Sequence, residues 1–419
     1  MYQKKDGVLM AYQPHSNYKL NSENFTKPFF EMGPIRPPSE GRDYSLLLRL
    51  VRNCPWNKCL FCRTYKQEKF GYRSVEEIEE DIDVARALHD EIKSASWQFG
   101  LTGRITSELL GAIINGNPEI FSNGEGLPLQ NITNVSNWIT SGARTVFLQD
   151  ADAIIIRTPE LVEVIQHIKE TFPTVERITS YARAKTCNRK SLEDLKQLHQ
   201  VGLSRLHVGL ESGNDEVLSF MQKGITHEEH VAGGKKVVQS GISLSEYYMP
   251  GLGGRNLSEA HAVDSAIALS EIDPDFIRVR SLIVREDTLL YERYKQGKLE
   301  LLTEDEMVDE IALFVESLNC HSYLISDHMS NLLFEVEGQL PDEKGKILES
   351  ISLYQQKSLM EKLEFRLRRR LQSYVAAHGS LDHNLRQRIT KTMDAIQSES
   401  PDAEERTNRS IAALKQGFV

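Results

Sequence analysis

From Tyr44 onward the chain alternates short apolar runs with longer stretches in which apolar residues recur at helical spacing. "YSLLLRLV" (Tyr44 to Val51), "RTVFLQ" (Arg144 to Gln149), "RITSYAR", "RLHVGLES", "ISLSEYYMPG" and "FIRVRSLIV" predict strands. Between them lie predicted helices. "SVEEIEEDIDVARALHDEI" opens on Ser74 as cap, with Glu77 completing a capping box. "TPELVEVIQHIKETF" takes Thr158 as cap and Pro159 in its first turn. "SLEDLKQLHQVG" stops at Gly202. Further helices are predicted over Glu216 to Met221, over Ser258 to Glu271, and from near Thr303. Six strand-then-helix units result between Tyr44 and Ser317. Such alternation favours parallel strands with right-handed crossovers. Six units are too few to close an eight-fold barrel, so the expected fold is α/β, an open partial (β/α)6 parallel barrel with a helical C-terminal extension.

The pattern also sets boundaries. Residues 1–43 read as an irregular extension and 44–317 as the core, interrupted at about 94–141 by an insertion with its own helix. Residues 318–348 follow as a segment covering the barrel, and 349–419 as a helical region. Its tail, "QSESPDAEERTNRS", is poor in apolar residues and is expected to be partly disordered.

Composition narrows the function. The 419 residues carry a formal net charge of −10, with a pI near 5.7. That argues against a duplex nucleic-acid binder relying on phosphate neutralisation. No apolar run approaches the roughly 20 residues needed to span a bilayer. "MYQKKDGVLMAYQPHSNYKL" lacks a continuous apolar core of signal-peptide type. A cytoplasmic location is expected, where the five cysteines would not be disulfide staples.

Three of those cysteines, Cys54, Cys59 and Cys62, fall within nine residues just past the first strand, in "RNCPWNKCLFCRTYKQ". That rim is where α/β folds place chemistry. A zinc site would ask for a fourth ligand, commonly from a second pair. Cys187 and Cys320 arrive singly and far off. Three thiolates suit an iron–sulfur cube whose fourth iron is left for a small ligand.

The segment resembles the cluster motif of the radical S-adenosylmethionine (radical SAM) superfamily, in the branch that includes methylthiotransferases and oxygen-independent coproporphyrinogen oxidases. The common family spacing is three residues then two; here it is four then two. The resemblance implies a [4Fe-4S] cluster on Cys54, Cys59 and Cys62, with S-adenosylmethionine (SAM) bound beside it. Phe61 matches the family's aromatic on the adenine side. "VGLESGNDEVLSFMQKGIT" resembles the fourth-strand segment, with Glu211 reaching the ribose hydroxyls or the methionine ammonium. Arg183, ending "SYAR", would clamp the methionine carboxylate, for which a planar two-pronged donor is suited. The turn in "YYMPGLGG", centred on Gly251, would pack on adenine. Where many members carry Gly-Gly-Glu, this chain has Gln149, Asp150, Ala151 and Asp152, so backbone carbonyls helped by Asp150 or Asp152 would take the ammonium.

The implied function is that of a radical SAM enzyme acting on a small or medium-sized molecule, served by a reducing partner such as flavodoxin or ferredoxin. No membrane is expected, and nucleic acid is an unlikely partner. The alternatives are a non-catalytic iron–sulfur or heme carrier, which would need neither Arg183, Glu211 nor the Gly251 turn, and an RNA-modifying member, kept open by the basic "RLRRRLQ". In the covering segment, Asp327 is expected to orient His328 as an acid or base for the substrate.

Overall fold

The computed structural model describes residues 3–5, 8–10, 17–27, 29–38, 44–121 and 126–417. Much of the N-terminal stretch read above for targeting lies outside them. The chain is α/β, with a mostly parallel central sheet of eight strands that is not closed. Contacts divide it into two compact units: Met1–Pro55, Glu68–Tyr181 and Lys196–Arg205 form the first; Trp56–Gln67, Ala182–Leu195 and Leu206–Val419 form the second.

In the first unit, β1 (Leu46–Arg49) lies parallel to β2 (Thr145–Gln149), with Leu46 opposite Val146, and β2 lies parallel to β3 (Arg177–Ala182). All five residues of β2 are buried, as expected of a parallel strand covered on both faces. Helix α1 (Val75–Gln98) begins with the expected Ser74–Glu77 capping box and buries Ile78, Ile82, Ala85 and Ile92. The insertion holds three helices rather than one: Ser107–Gly116, Pro118–Phe121 and Leu127–Thr140. The helix from Thr158 takes Arg157 as cap, one residue earlier than expected, with Pro159 in its first turn.

Strand β4 (Leu203–Glu211) starts in the first unit and ends in the second. In the second unit, β5 (Ser243–Tyr248) pairs in parallel with β6 (Phe276–Val279), and β6 with β7 (Tyr323–Ile325). The antiparallel β8 (Gly338–Gln339) pairs with β7. The segment read as a cover therefore extends the sheet, because "YLI" is apolar enough to add a strand. Helix α2 (Glu304–Ser317) opens on the box Thr303–Glu306.

The charged C-terminal region folds into helices with their own core. The helices are α3 (Leu359–His378), α4 (His383–Gln397) and α5 (Ala403–Gln416). Leu363, Leu367, Leu385, Ile389, Ile396, Ile411 and Leu414 pack together. This corrects the expectation of partial disorder: the apolar residues are few, but they share one face of each helix. Arg370 joins α3 to α2. It is 1% exposed, donates to Glu304 Oε2 at 2.6 Å, and reaches the backbone oxygens of Ser330 and Asn331, each at 2.8 Å. Lys415 also reaches Glu304, at 2.5 Å, and the two cations hold that carboxyl far below its usual range against the opposing effect of burial. Arg370→Ala leaves buried acceptors without a donor. It is expected to cost about 3–5 kcal/mol in urea unfolding; a loss under about 1 kcal/mol would show the network to be dispensable.

Candidate active site

The cysteine loop is closed at its base by a short antiparallel pairing, Val51 opposite Tyr72 and Arg52 opposite Gly71. Cys54, Cys59 and Cys62 are each half-buried, and none is in a disulfide. Just before Cys54, Asn53 turns into the left-handed region at φ 69°. It is held there by Arg49, 2.9 Å from its side-chain oxygen, and by its own amide donating to Lys69 O at 2.6 Å. In the second unit, the Leu60 N–H donates to Met221 O at 3.0 Å, while Leu60 O accepts from Leu290 N–H at 3.0 Å. The Leu60 side chain is buried among Val217, Met221, Met249, Leu252 and Leu290, with Phe61 against the same cluster. The Trp56 indole N–H donates to Gln222 O at 2.7 Å, and Arg63 pairs with Asp287 at 3.0 Å. Among the described residues, no three His, Cys, Asp or Glu side chains are gathered as a single metal ion would require.

Glu211 ends β4 with φ 63°, a costly conformation for a residue with a side chain. Its Oε1 lies 3.2 Å from Lys223 Nζ, and the two side chains are 13% and 16% exposed. A Cβ at Gly209 would stand 2.2 Å from that Oε1, so the carboxylate folds back over bare backbone. Burial alone would lower the Lys223 pKa, but the Glu211 carboxylate and then Cys59 outweigh it and leave the pKa raised. Lys223 also sits 5.7 Å over the Phe61 ring. The Arg183 guanidinium lies 5.2 Å over Trp56 and donates to Lys223 O at 3.3 Å. Lys223 was missed in the sequence. It stands in the quoted "FMQKGIT", but nothing local marks its partner, which lies 12 residues earlier on the strand. On β5, buried Glu246 meets buried His230 at 3.1 Å, and burial raises its pKa.

The turn at Gly251 is fixed by a buried polar relay. Gly251 takes φ 84°, and a Cβ there would meet Met307 Cε at 2.5 Å. Its N–H donates to Glu310 Oε1 at 2.6 Å, alongside the Tyr248 hydroxyl at 3.1 Å, and Ser258 donates to the other oxygen at 2.5 Å. His261 Nε2 donates to Met249 O at 3.0 Å, and its Nδ1 is 2.8 Å from the Ser212 hydroxyl. Burial lowers His261 to about 4, so the ring is neutral near pH 7. The relay ties Ser212, next to Glu211, to the Gly251 turn.

The remaining residues are placed differently from expectation. Asp150 is fully buried in the first unit and bound to Arg49 Nε at 2.6 Å, while neighbouring Gln149 accepts from Gly33 N–H at 2.9 Å. Asp152 is also fully buried. Asp327 pairs with Arg278 at 3.5 Å rather than orienting His328. His328 Nδ1 accepts from the Ser330 N–H at 3.1 Å and lies 2.7 Å from its hydroxyl; burial and then Arg280 push it down to about 3. Such a ring is neutral near pH 7 and a weak proton acceptor.

The pattern of the Radical SAM superfamily matches residues 48–266, more than half of the chain. The chain belongs to that superfamily, whose proteins carry a [4Fe-4S] cluster and SAM. It is 23% identical over 300 residues to a protein named tRNA uridine(34) acetyltransferase from Methanocaldococcus infernus, covering 68% of this chain and 51% of that one. It is 23% identical over 189 residues to the heme chaperone HemW of Bacillus subtilis, covering 44% and 49%. Among solved structures it is similar to coproporphyrinogen III oxidase (HemN) from Escherichia coli, with a TM-score of 0.34, 16% identity, and 41% and 39% of the two chains covered. The chain spans about half the length of the curated relatives it matches. The relative named for tRNA removes the ground for calling a nucleic-acid partner unlikely. No helix among the described residues is long and apolar enough to cross a membrane.

Burial lifts Glu310 from 4.5 to about 7, against the lowering effect of Ser258, the Gly251 N–H and Tyr248. An acid whose folded pKa is raised stabilises fully below its unfolded pKa and loses that contribution as pH rises through the folded one. Relative to Glu310→Gln, the wild type should therefore lose roughly 2–3 kcal/mol of unfolding free energy between pH 4.5 and 7, at about 1.4 kcal/mol per unit. A pH-independent difference between the two would show that Glu310 titrates normally.

Proposed function

We propose that this chain is a radical SAM enzyme in which Cys54, Cys59 and Cys62 hold the cluster. The observation that supports it best is the left-handed Glu211 and its partner Lys223, which has Cys59 as a second source of favourable charge. The donor set fits the group: three thiols outside any disulfide, with Cys59 and Cys62 on a turn held by backbone hydrogen bonds and the Lys223 ammonium interacting with Cys59. A cluster held by Cys54, Cys59 and Cys62 would supply the one-electron reduction of SAM with which radical SAM chemistry begins.

This chain's residues then bind and orient. Arg183, braced on Trp56 and on the Lys223 carbonyl, presents a planar donor suited to the methionine carboxylate. Glu211 presents acceptors to ribose hydroxyls or the ammonium. The Gly251 turn offers bare backbone to adenine, kept in shape by Glu310. Phe61 gives that side an apolar face. Asp150 and Asp152, being buried, would act through the backbone they hold, and His328 would position substrate rather than take its proton. A flavodoxin- or ferredoxin-like reductant would supply the electron.

Anaerobic reconstitution tests this. Cys59→Ala should lose most of its iron, and Arg183→Ala should keep iron while SAM affinity drops roughly ten- to a hundredfold, the effect of one charge-assisted contact. Tight zinc uptake with no iron would refute the cluster, and unchanged SAM affinity would refute the role of Arg183.

A second reading, in which RNA is the hydrogen donor, is favoured by the 300-residue match to the relative named for tRNA. Anaerobic turnover on bulk RNA, followed by mass spectrometry of the nucleosides, separates it from small-molecule chemistry. The heme-carrier reading, favoured by the match to HemW, predicts heme binding with no SAM cleavage.

A further inference from the structure

The paired helices α4 and α5 form a groove of about 730 Å³ that the proposed chemistry does not use. On α4, Asn384, Arg388 and Lys391 line it at helical spacing, so they share one face. On α5, Arg406 and Arg409 line the opposite wall, three residues apart. The floor is made of small side chains: the Thr392 and Ser410 hydroxyls meet at 2.9 Å, and both residues are buried. Glu286 is the one acid among the lining residues, against four cations. Arg406 and Arg409 each share a carboxylate one turn back, Asp402 and Glu405. Among the described residues, the exposed side chains of Arg388 and Lys391 have no ion-pair partner. Four cations thus surround a concave floor of hydroxyls in a chain of net charge −10.

The composition selects the ligand. A protein interface of this size would have an apolar or aromatic centre, and the only apolar lining residues here are Ala412 and Ala413. Single-stranded nucleic acid is held by aromatic rings on which bases stack, and the lining has none. What remains is a set of point and forked cations with amides and hydroxyls, the groups that contact phosphate and sugar oxygens. The two helices are about 20 Å long at 1.5 Å per residue, enough to follow several phosphates of a stem.

We propose that this groove binds the sugar–phosphate backbone of a structured RNA stem, without reading its sequence. None of its residues is among those assigned to the cluster or to SAM, so it stands or falls apart from the radical chemistry. The test measures fluorescence anisotropy of a labelled RNA hairpin with the full-length reconstituted protein across a salt series. The variants are Arg388→Gln with Lys391→Gln, and, as a control on another helix, Arg368→Gln.

The double variant should bind the hairpin about tenfold or more weakly and reduce the log–log salt slope by about two, one for each lost phosphate contact. The control should bind as wild type, and a hairpin of unrelated sequence should bind equally well. Circular dichroism, iron content and SAM affinity should be unchanged in the double variant. Hairpin binding unaffected by the double substitution would overturn the proposal. So would tighter binding of an unpaired RNA of equal length. Binding of an acidic flavodoxin that depends on Arg388 and Lys391, with no hairpin binding at low salt, would assign the groove to a protein instead.

Discussion

The candidate site depends on two hydrogen bonds at one residue. Leu60 gives its N–H to Met221 and takes the N–H of Leu290, while its side chain is closed in by apolar neighbours. Buried backbone groups must be paired, so this residue cannot leave without breaking both bonds. Cys59 and Cys62 lie within two residues of it on either side and are joined by a turn in which the Cys62 N–H reaches Cys59 O at 3.3 Å. The loop therefore has a shape before any cofactor arrives, and less ordering entropy is left to lose on binding.

A second constraint is electrostatic. The second unit buries Glu246, Glu310, His230 and His261, and encloses Glu211 and Lys223 almost as fully. Burial disfavours every charge among them. Lys223 retains its charge because it faces Glu211 and Cys59, whereas His261 gives its up and Glu310 holds its proton more tightly. The Lys223 charge is thereby held beside Cys59.

Much of this was legible in the sequence. The alternation of apolar runs and amphipathic stretches located the strands, and the box Ser74–Glu77 marked a helix start through strictly local chemistry. The cysteine spacing pointed to a cluster, and the family match bears out the superfamily. What was not legible rests on partners distant in sequence. Asp150 looked available until Arg49, 101 residues away, took its carboxylate. Asp327 looked like a partner for His328, but Arg278 comes 49 residues earlier. The helix from Ala403 was hidden because Thr407 and Ser410 do the work of apolar residues on its inner face. Net charge, an average over the whole chain, concealed the local cations of α4 and α5.

Gly224 shows how tightly such a site limits sequence drift. It adopts φ 73°, and a Cβ there would stand 2.2 Å from Trp56 Cζ2. Two separate locks act on one position, one of conformation and one of space. Replacing Trp56 by something smaller opens the second lock only, and it removes the ring beneath Arg183. Asparagine or aspartate, which tolerate left-handed backbone, then become the first residues admissible at 224. Substitutions at 56 and 224 must accordingly occur in a fixed order, the tryptophan first, so a lineage that has lost this glycine should already have lost the tryptophan that braces the arginine.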